Sequence, residues 1–235
     1  MGARVRLLSH TPDPEKTVAL AARLCYSARG VGELARDLGP DEVAALLGKL
    51  VSMGHFSALE HASFTFGVEG ISRACSHQLV RHRLASYSQQ SQRYVRLDEP
   101  NVVVPPSVAA DPARAARFRE AVEGVWALYR ELVEAGVPAE DARYLLPNAC
   151  ETKLVVTMNA RELRHLFALR LCRRAQWEIR DLAREMLRAV VPVAPLLFRG
   201  AGPGCLRGAC PEGAYSCGQA AEVRSELRPL LGEAP

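Results

Sequence analysis

The segment RHRLASYSQQSQRY, Arg81 to Tyr94, combines three arginines with seven other polar residues and contains no acidic residue. It has none of the Gly, Pro, Asn or Asp residues that mark a loop, and it lacks the apolar stripe of a surface helix. It belongs to a longer interval, residues 70–97, whose 28 residues include no carboxylate. A solvated face normally mixes both signs of charge, so this interval indicates an anion-binding site or, equally, a polar surface helix in an arginine-rich protein. Its basic residues are Arg73, His77, Arg81, His82, Arg83, Arg93 and Arg96.

The chain as a whole has the composition of a globular protein, with 49% hydrophobic and 24% charged residues. Its 235 residues suffice for one sizeable core. A net charge of +4 is too small to indicate nucleic-acid binding by itself. No run approaches the roughly 20 apolar residues of a membrane span, and no signal peptide is visible. Seven cysteines without a secretory signal predict reduced thiols and a cytoplasmic protein.

The hydrophobic periodicity predicts an α+β fold, with a mostly antiparallel sheet flanked by several α-helices. Strands are predicted at 3–10, 61–72 and 152–159, and an edge strand followed by a long loop at 97–113. Helices are predicted at 17–28, 41–53, 72–83, 113–136 and 138–149, with one long helix or two successive helices at 160–191. We expect a single domain over residues 1–199 and an irregular tail, rich in Gly and Cys, over residues 200–235.

One arginine falls on an apolar helix face. At 100° per residue, Leu163, Leu166 and Phe167 share a face of the helix that follows Asn159, and Arg170 lies near its centre. A guanidinium in that position costs several kcal/mol unless it is paired. Its partner is therefore a structural carboxylate or a bound anionic ligand.

The cysteine and histidine patterns do not predict a metal site. Cys205, Cys210 and Cys217 follow a C-x4-C-x6-C spacing, which differs from the paired C-x2-C knuckles of zinc ribbons, and only Cys172 or a histidine is available as a fourth ligand. His55 and His61 are six residues apart and do not share a helical face as H-E-x-x-H would.

The motif RHR, seven residues, Ser, one residue, Arg resembles the signature of the flavin-dependent thymidylate synthases. It is formed by Arg81-His82-Arg83, Ser91 and Arg93. The segments HFSALEHASFTF, ARYLLPNA and MNARELRHLFALRLCRRAQWEIR resemble that family in the expected order, so the resemblance extends from Arg4 to Val193. It makes residues 1–199 the catalytic domain and assigns no role to the tail.

The resemblance implies an α+β enzyme that assembles as a homotetramer with active sites between subunits. Each site would hold FAD and dUMP, with NADPH as reductant and 5,10-methylenetetrahydrofolate as one-carbon donor. Neither a nucleic acid nor a membrane is expected as a partner. The residues that match the FAD contacts are Ser57, Arg81, His82, Arg83, Gln89, Asn159, Ala160, Arg161 and His165, with His55 close to the flavin or folate.

The resemblance also assigns the substrate contacts. The residues that match the dUMP contacts are Gln78, Leu79, Val80, Arg81, Gln89, Gln90, Ser91, Gln92, Arg93, Arg143 and Arg170. Arg170 would be catalytic, because the family places this arginine on the pyrimidine, where it favours ionisation at N3. The phosphate would bind Ser91, Arg93 and Arg143. No cysteine nucleophile is expected, because the reduced flavin carries the hydride and mediates methylene transfer.

Two residues depart from the family pattern: Gln89 stands where some members have glutamate, and His165 where others have asparagine. Two other interpretations remain open. One is an RNA-binding module that uses the basic segment for phosphates and stacks bases on Tyr87 and Tyr94, although RRM, KH and OB signatures are absent. The other keeps the fold and FAD without the reaction.

Overall fold

A four-stranded antiparallel sheet forms the centre of the fold, as the computed structural model of residues 2–232 shows. Its strands are β1 (Arg4–His10), β2 (Ser63–Ser72), β3 (Ala85–Gln89) and β4 (Glu151–Asn159), in the order β1-β2-β4-β3. On β2, Phe64, Phe66 and Val68 are fully buried and alternate with partly exposed residues. This alternation is the period of two that predicted the strand. The α+β fold class with an antiparallel sheet is confirmed.

The two central strands pair so that their apolar residues share one face. Phe64 lies opposite Met158, and Phe66 lies opposite Val156. On the other face, the hydroxyls of Thr65 and Thr157 form a hydrogen bond of 2.9 Å. The one-sided burial fixes the register, because a shift by one residue would expose every one of these side chains.

A bulge near Gly70 ends this regular pairing. Gly70 has φ +74°, a left-handed conformation that favours glycine, and a Cβ there would lie 3.0 Å from the carbonyl oxygen of Gly2. Beyond the bulge, Ile71 and Ser72 are both buried. Ser72 then caps the following helix by accepting a hydrogen bond from the Cys75 amide at 3.0 Å. The chain therefore passes directly from the sheet into that helix.

Helices cover the sheet and extend from it. They are α1 (Pro14–Leu24), α2 (Val31–Asp37), α3 (Pro40–Met53), α4 (Arg73–Leu79), α5 (Pro106–Ala109), α6 (Pro112–Glu134), α7 (Ala139–Ala142), α8 (Ala160–Arg170), α9 (Trp177–Val190), α10 (Pro195–Phe198) and α11 (Ala220–Leu230). Short 3-10 turns lie at Ser57–His61, Arg143–Leu145, Gly204–Leu206 and Gly213–Tyr215. Of the helices in residues 2–232, none is both long and apolar enough to cross a membrane.

Three aromatic rings join the sheet to the helices behind it. The ring of Phe198 packs edge-on against Phe64 at 5.4 Å and against Phe167 at 5.9 Å. All three side chains are fully buried. A carboxylate also links sheet and helix, since buried Glu178 on α9 accepts hydrogen bonds of 2.6 Å from both the amide and the hydroxyl of Ser72.

The helical region 160–191 is two helices, α8 and α9, separated by a turn at residues 171–176. The prediction of an irregular tail is wrong, because α11 lies in it and buries Val223 and Leu227 in the main core. The predicted edge strand in 97–113 is also wrong. That segment contributes only one bridge, between Val102 and Cys150, because its prolines lack the amides that a strand needs. The domain boundary at residue 199 stays a prediction.

We expect Phe198→Ala to lower the free energy of unfolding by about 3–5 kcal/mol, because it removes a ring that packs against two others and leaves a cavity. Leu128→Ala is the control, since Leu128 on α6 is 43% exposed and should change stability by less than about 0.5 kcal/mol. Urea unfolding followed by circular dichroism measures both. Equal losses in the two variants would contradict this description of the core.

Candidate active site

The segment RHRLASYSQQSQRY passes from the end of α4 through a tight turn into the edge strand β3. The helix ends at Leu79, earlier than the predicted residue 83, and the extended conformation begins at Ala85. The Tyr87 hydroxyl holds the turn, lying 2.9 Å from the Leu79 carbonyl oxygen and 2.8 Å from that of His82. Burial raises the pKa of Tyr87, so the hydroxyl remains a donor.

The turn places His82 in a buried position between an acid and an arginine. His82 is 3% exposed, and its Nδ1 lies 3.0 Å from Oε1 of Glu162, which is also buried. Its Nε2 accepts a hydrogen bond of 3.1 Å from Nε of Arg170. An arginine can only donate, so Nε2 carries a lone pair, and the imidazole proton sits on Nδ1 facing Glu162. The contacts thus define a neutral imidazole with a fixed tautomer.

The electrostatic surroundings favour that neutral form. Burial is the largest influence and lowers the pKa of His82 from its ordinary value of 6.5. The carboxylate of Glu162 opposes this shift, and the positive charge of Arg170 adds to it. Neutral His82 is therefore the form that the folded protein stabilises.

Arg170 ends α8 with most of its hydrogen-bonding capacity unused. It is partly buried, and besides the bond to His82 it donates from Nη2 to the Gln78 carbonyl oxygen at 3.3 Å. A guanidinium has five N–H groups, and subtracting these two leaves three without a partner in residues 2–232. Within the same range no carboxylate lies in ion-pair distance, so the structural partner considered from the sequence is absent, and the alternative of an anionic ligand is favoured.

A second arginine on α8, not singled out from the sequence, is more deeply buried. Arg164 is 6% exposed, donates from Nη1 to the carbonyl oxygens of Leu197 and Arg199, and lies over the Phe56 ring at 4.8 Å. Its buried Nε has no hydrogen-bond partner. Burial, reinforced by the positive charge of Arg207, lowers the pKa of Arg164 to about 10.

A cavity of about 510 Å³ lies beside these residues, within the size range of small-molecule sites. Two residues predicted to contact FAD, Arg161 and His165, line it together with Arg164. Phe56, between the predicted residues His55 and Ser57, lines it as well. The cavity therefore collects positions that are far apart in the sequence.

Several other predicted flavin contacts also have structural roles. Asn159 caps α8 by accepting a hydrogen bond from the Glu162 amide at 2.9 Å, and Arg161 forms an ion pair with Glu60. Ala160 is fully buried, and its amide donates to the Ala62 carbonyl oxygen at 2.8 Å. Arg81 and Arg83 are exposed, with no ion-pair partner for either side chain in residues 2–232.

His82, Glu162 and His165 also place three possible metal-ligand atoms within 4.8 Å of one another. Both nitrogens of His82 are already engaged, one by the Glu162 carboxylate and the other by the Arg170 guanidinium. A cation at this point would displace one of these contacts and face the positive charge of Arg170. We therefore interpret Glu162, His82 and Arg170 as a hydrogen-bonded chain, with the His165 ring packed edge-on against His82.

Gln89, at the end of β3, has an amide orientation set by its neighbours. Its Nε2 donates to the hydroxyls of Ser76 at 2.9 Å and Thr152 at 3.0 Å. The Ser76 hydroxyl gives its own proton to the Arg73 carbonyl oxygen at 2.9 Å, so it must accept from Gln89. A donor is required at position 89 in this arrangement, which gives a physical reason for glutamine where a glutamate would only accept.

Two arginines, Arg73 and Arg143, lie close enough for their charges to interact, and neither has an ion-pair partner within residues 2–232. The pKa of Arg73 is lowered by burial and next by the positive charge of Arg143. Arg143 donates from Nε to the Glu140 carbonyl oxygen at 3.0 Å, and Glu140 pairs through its carboxylate with Arg93. Arg73 belongs to the acid-free interval of the sequence but matches no family contact, so sequence reasoning did not place it in the site.

The remaining predicted nucleotide contacts follow β3. Ser91 accepts a hydrogen bond from the Arg93 amide at 3.1 Å, and the Gln90 amide donates to the Lys153 carbonyl oxygen at 2.9 Å. Gln92 is partly buried and Val80 is exposed, whereas the Leu79 side chain lies in the core. Most of the predicted residues thus surround one region formed by the ends of α4 and α8 and by β3.

Comparisons with known proteins point to one family. A family model described as thymidylate synthase complementing protein matches residues 6–196. The flavin-dependent thymidylate synthase of Geobacter sulfurreducens is 62% identical over 229 residues, covering 97% of this chain and 99% of the relative. That of Pyrococcus furiosus is 44% identical over 218 residues, covering 89% of each. A crystal structure of the UMP/dUMP methylase PolB from Streptomyces cacaoi, bound with 5-Br dUMP, is similar with a TM-score of 0.72 at 27% identity, covering 83% of this chain and 92% of that one.

We expect the free energy of unfolding to fall as the pH is lowered from 8 to 5, in part because of His82. A depressed pKa means that the unfolded chain binds the proton more readily, so the stabilisation is complete above the ordinary pKa of 6.5 and is lost as the pH falls through the folded value. In His82→Asn the amide can accept from Arg170 and donate to Glu162, so this part of the pH dependence should disappear.

Urea unfolding across this pH range measures the slopes. His77→Asn is the matched control, because His77 is an exposed histidine of α4, the helix that precedes His82, and should leave the wild-type slope unchanged. A slope for His82→Asn equal to that of the wild type would contradict the assignment.

Proposed function

The chain belongs to the family of flavin-dependent thymidylate synthases, and we propose that it converts dUMP to dTMP by reductive methylation. The one-carbon unit would come from 5,10-methylenetetrahydrofolate, with release of tetrahydrofolate, and the reducing equivalents from NADPH through FAD. The observation that carries the proposal is Arg170, whose three unpartnered N–H groups are held beside a neutral His82. The relatives' names and the 5-Br dUMP bound to the similar methylase support it.

The cavity beside α8 fits a flavin. It contains a buried guanidinium, that of Arg164, whose Nε has no protein partner in residues 2–232. The exposed and unpaired Arg81 and Arg83 are suited to the negative pyrophosphate of FAD. Bound FAD, once reduced, supplies the hydride that completes the methyl group. The residues proposed to hold it are His55, Ser57, Arg81, His82, Arg83, Gln89, Asn159, Ala160, Arg161 and His165.

The arginine pair beside β3 is suited to the dUMP phosphate. Arg73 and Arg143 bring two positive charges together, with no carboxylate paired to either in the described part of the chain, and Arg93 is close enough to share Glu140 with Arg143. A phosphate dianion would relieve the repulsion between the two guanidinium groups. The residues proposed to contact dUMP are Gln78, Leu79, Val80, Arg81, Gln89, Gln90, Ser91, Gln92, Arg93, Arg143 and Arg170, to which the structure leads us to add Arg73.

Arg170 would activate the pyrimidine. Its free N–H groups can donate to the uracil ring and stabilise negative charge that develops when N3 loses its proton. Because His82 is neutral and fixed as an acceptor, it orients the guanidinium without competing with the substrate for positive charge. Glu162 fixes the tautomer of His82, and His82 in turn orients Arg170. Glu162 therefore acts on the guanidinium through His82.

No cysteine nucleophile is needed in this mechanism. Cys75, on the helix that leads to the RHR motif, is buried, and burial raises the pKa of its thiol far above the ordinary value. A protonated, buried thiol is a poor nucleophile. The Ser91 hydroxyl accepts from a backbone amide and has no histidine partner within hydrogen-bond distance, so we assign it a binding role.

We also propose a homotetramer with active sites between subunits. β3 is an edge strand, and the apolar side chains of Leu84 and Leu169 near the site are 69% and 49% exposed. The predicted contacts form an open surface, which a neighbouring subunit would close.

The flavin absorbance of the purified protein and the formation of dTMP test the proposed function. Purified protein should carry a flavin absorbance band that NADPH bleaches, more readily with dUMP bound, and should form dTMP when methylenetetrahydrofolate is added. Arg170→Ala should lower turnover by roughly 100-fold or more, as expected for loss of a group that stabilises developing charge, while FAD stays bound.

Arg188→Ala is the control, because Arg188 is an exposed arginine of α9 and should keep wild-type turnover. Wild-type turnover of Arg170→Ala would remove Arg170 from catalysis. A colourless protein that cannot be reconstituted with FAD and that retards RNA in a gel would overturn the proposed function in favour of RNA binding.

We expect Arg73→Gln to weaken dUMP binding by roughly tenfold or more, since a charge-assisted hydrogen bond contributes about 1.5–3 kcal/mol. FAD content should not change. Isothermal titration of the flavin-loaded protein with dUMP measures the effect, with Arg117→Gln on the exposed side of α6 as the control. Equal affinity in both variants would exclude Arg73 from the phosphate site.

A further inference from the structure

Four of the seven cysteines line a second cavity, of about 500 Å³, which Arg170 also lines. Cys172 comes from the turn that follows α8, and the tail supplies Cys205, Cys210 and Cys217. All four are free thiols, as are the other three cysteines of the chain. The sequence spacing left Cys172 or a histidine as the fourth member of this group, and the fold brings Cys172 to the cavity although it lies 33 residues before Cys205.

The tail is held in the shape that presents these thiols. Arg224 on α11 donates to the Cys205 carbonyl oxygen at 2.9 Å and to the Gly208 carbonyl oxygen at 2.7 Å. Arg174 donates to the Tyr215 carbonyl oxygen at 2.8 Å and so anchors the second half of the loop. Both arginines therefore bind backbone carbonyls of the loop that carries the cysteines, Arg224 from α11 and Arg174 from the turn after α8.

One glycine permits the close packing of the loop. A Cβ on Gly204 would lie 2.8 Å from Cγ of Pro211, a distance that real Cβ atoms do not show. Cys205 and Cys210 stand directly beside these two residues in the chain. The contact brings the two thiol-bearing segments together, and any larger residue at position 204 would separate them.

The charges around the cavity suit anionic sulfur. Arg170, Arg173 and Arg174 line it, whereas Glu212 is its only carboxylate among the described residues. All four cysteines line the same cavity, so their thiolates would repel one another, and a bound cation would remove that repulsion.

We infer that Cys172, Cys205, Cys210 and Cys217 ligate a soft metal centre through four thiolates. Each thiol loses its proton to solvent on binding, and the sulfur lone pair forms the bond to the metal. Thiolates select zinc or iron–sulfur clusters. The centre would tie the tail to the turn directly after Arg170, and this inference does not depend on the proposed reaction.

A single zinc ion and an iron–sulfur cluster require different distances between the four sulfurs. With Zn–S bonds of about 2.3 Å, the sulfurs of a tetrahedral zinc site are roughly 3.8 Å apart. Among the described residues, no three of these sulfur atoms lie within 4.8 Å of one another. A four-iron cubane takes one thiolate at each iron and separates the sulfurs by the width of the cluster, so metal analysis distinguishes the two kinds of centre.

Elemental analysis of the full-length protein, purified without oxygen, tests the inference. We expect about four irons and four acid-labile sulfides per chain for a [4Fe–4S] cluster, and about one zinc for a mononuclear site. Cys210→Ser/Cys217→Ser should lower the metal content at least tenfold. Cys25→Ser, at an exposed cysteine beyond α1, should retain it.

Alkylation of the wild-type protein gives a second measurement, in case the double variant fails to fold. Cys210 and Cys217 are partly exposed, so they should react slowly with iodoacetamide while the metal is bound and at least tenfold faster after chelation. Three results would overturn the inference: a metal content no higher than that of the double variant after supply of zinc or of iron and sulfide, alkylation of Cys210 and Cys217 as fast as Cys25, or a disulfide between any two of the four cysteines.

Discussion

The site is organised around one guanidinium that has no carboxylate partner among residues 2–232. Arg170 stands at the end of a core helix, where a charge requires compensation, and the protein gives it only neutral acceptors. The buried acid that could have neutralised it, Glu162, is instead bonded to His82 on its far side. The carboxylate of Glu162 is therefore separated from Arg170 by the His82 side chain. A bound anionic ligand can supply the compensating negative charge that the protein does not place next to Arg170.

The sheet makes this arrangement possible because its two central strands each continue directly into a helix of the site. β2 leads into α4 through the bulge at Gly70 and the cap at Ser72, and β4 leads into α8 through the cap at Asn159. The register between the strands is fixed by one-sided burial, so it also fixes where the helices begin. Without that register, the ends of α4 and α8 would not meet at His82.

Much of this could be predicted from the sequence, but the parts that depend on long-range contacts could not. Period-two alternation revealed β2, and the RHR motif with Ser91 and Arg93 identified the family. Glu162 gave no signal, since an acid in the first turn of a helix is ordinary there. Arg164 gave none because its partners are backbone carbonyls in α10 and just beyond it. The apolar spacing of Val223 and Leu227 was present in the tail, but the neighbouring Gly and Cys residues obscured it.

The amide of Gln89 links positions that are 13 residues apart in the chain. The Ser76 hydroxyl donates its proton to the Arg73 carbonyl oxygen in the first turn of α4. An acid at position 89 could only accept, so the Ser76 hydroxyl would have to donate to it instead. The hydrogen bond to the Arg73 carbonyl oxygen would then be lost. A change of charge at position 89 therefore also changes the hydrogen bonding of Ser76 and Thr152. We expect positions 89 and 76 to vary jointly among relatives, so that this polar pair is inherited as a unit.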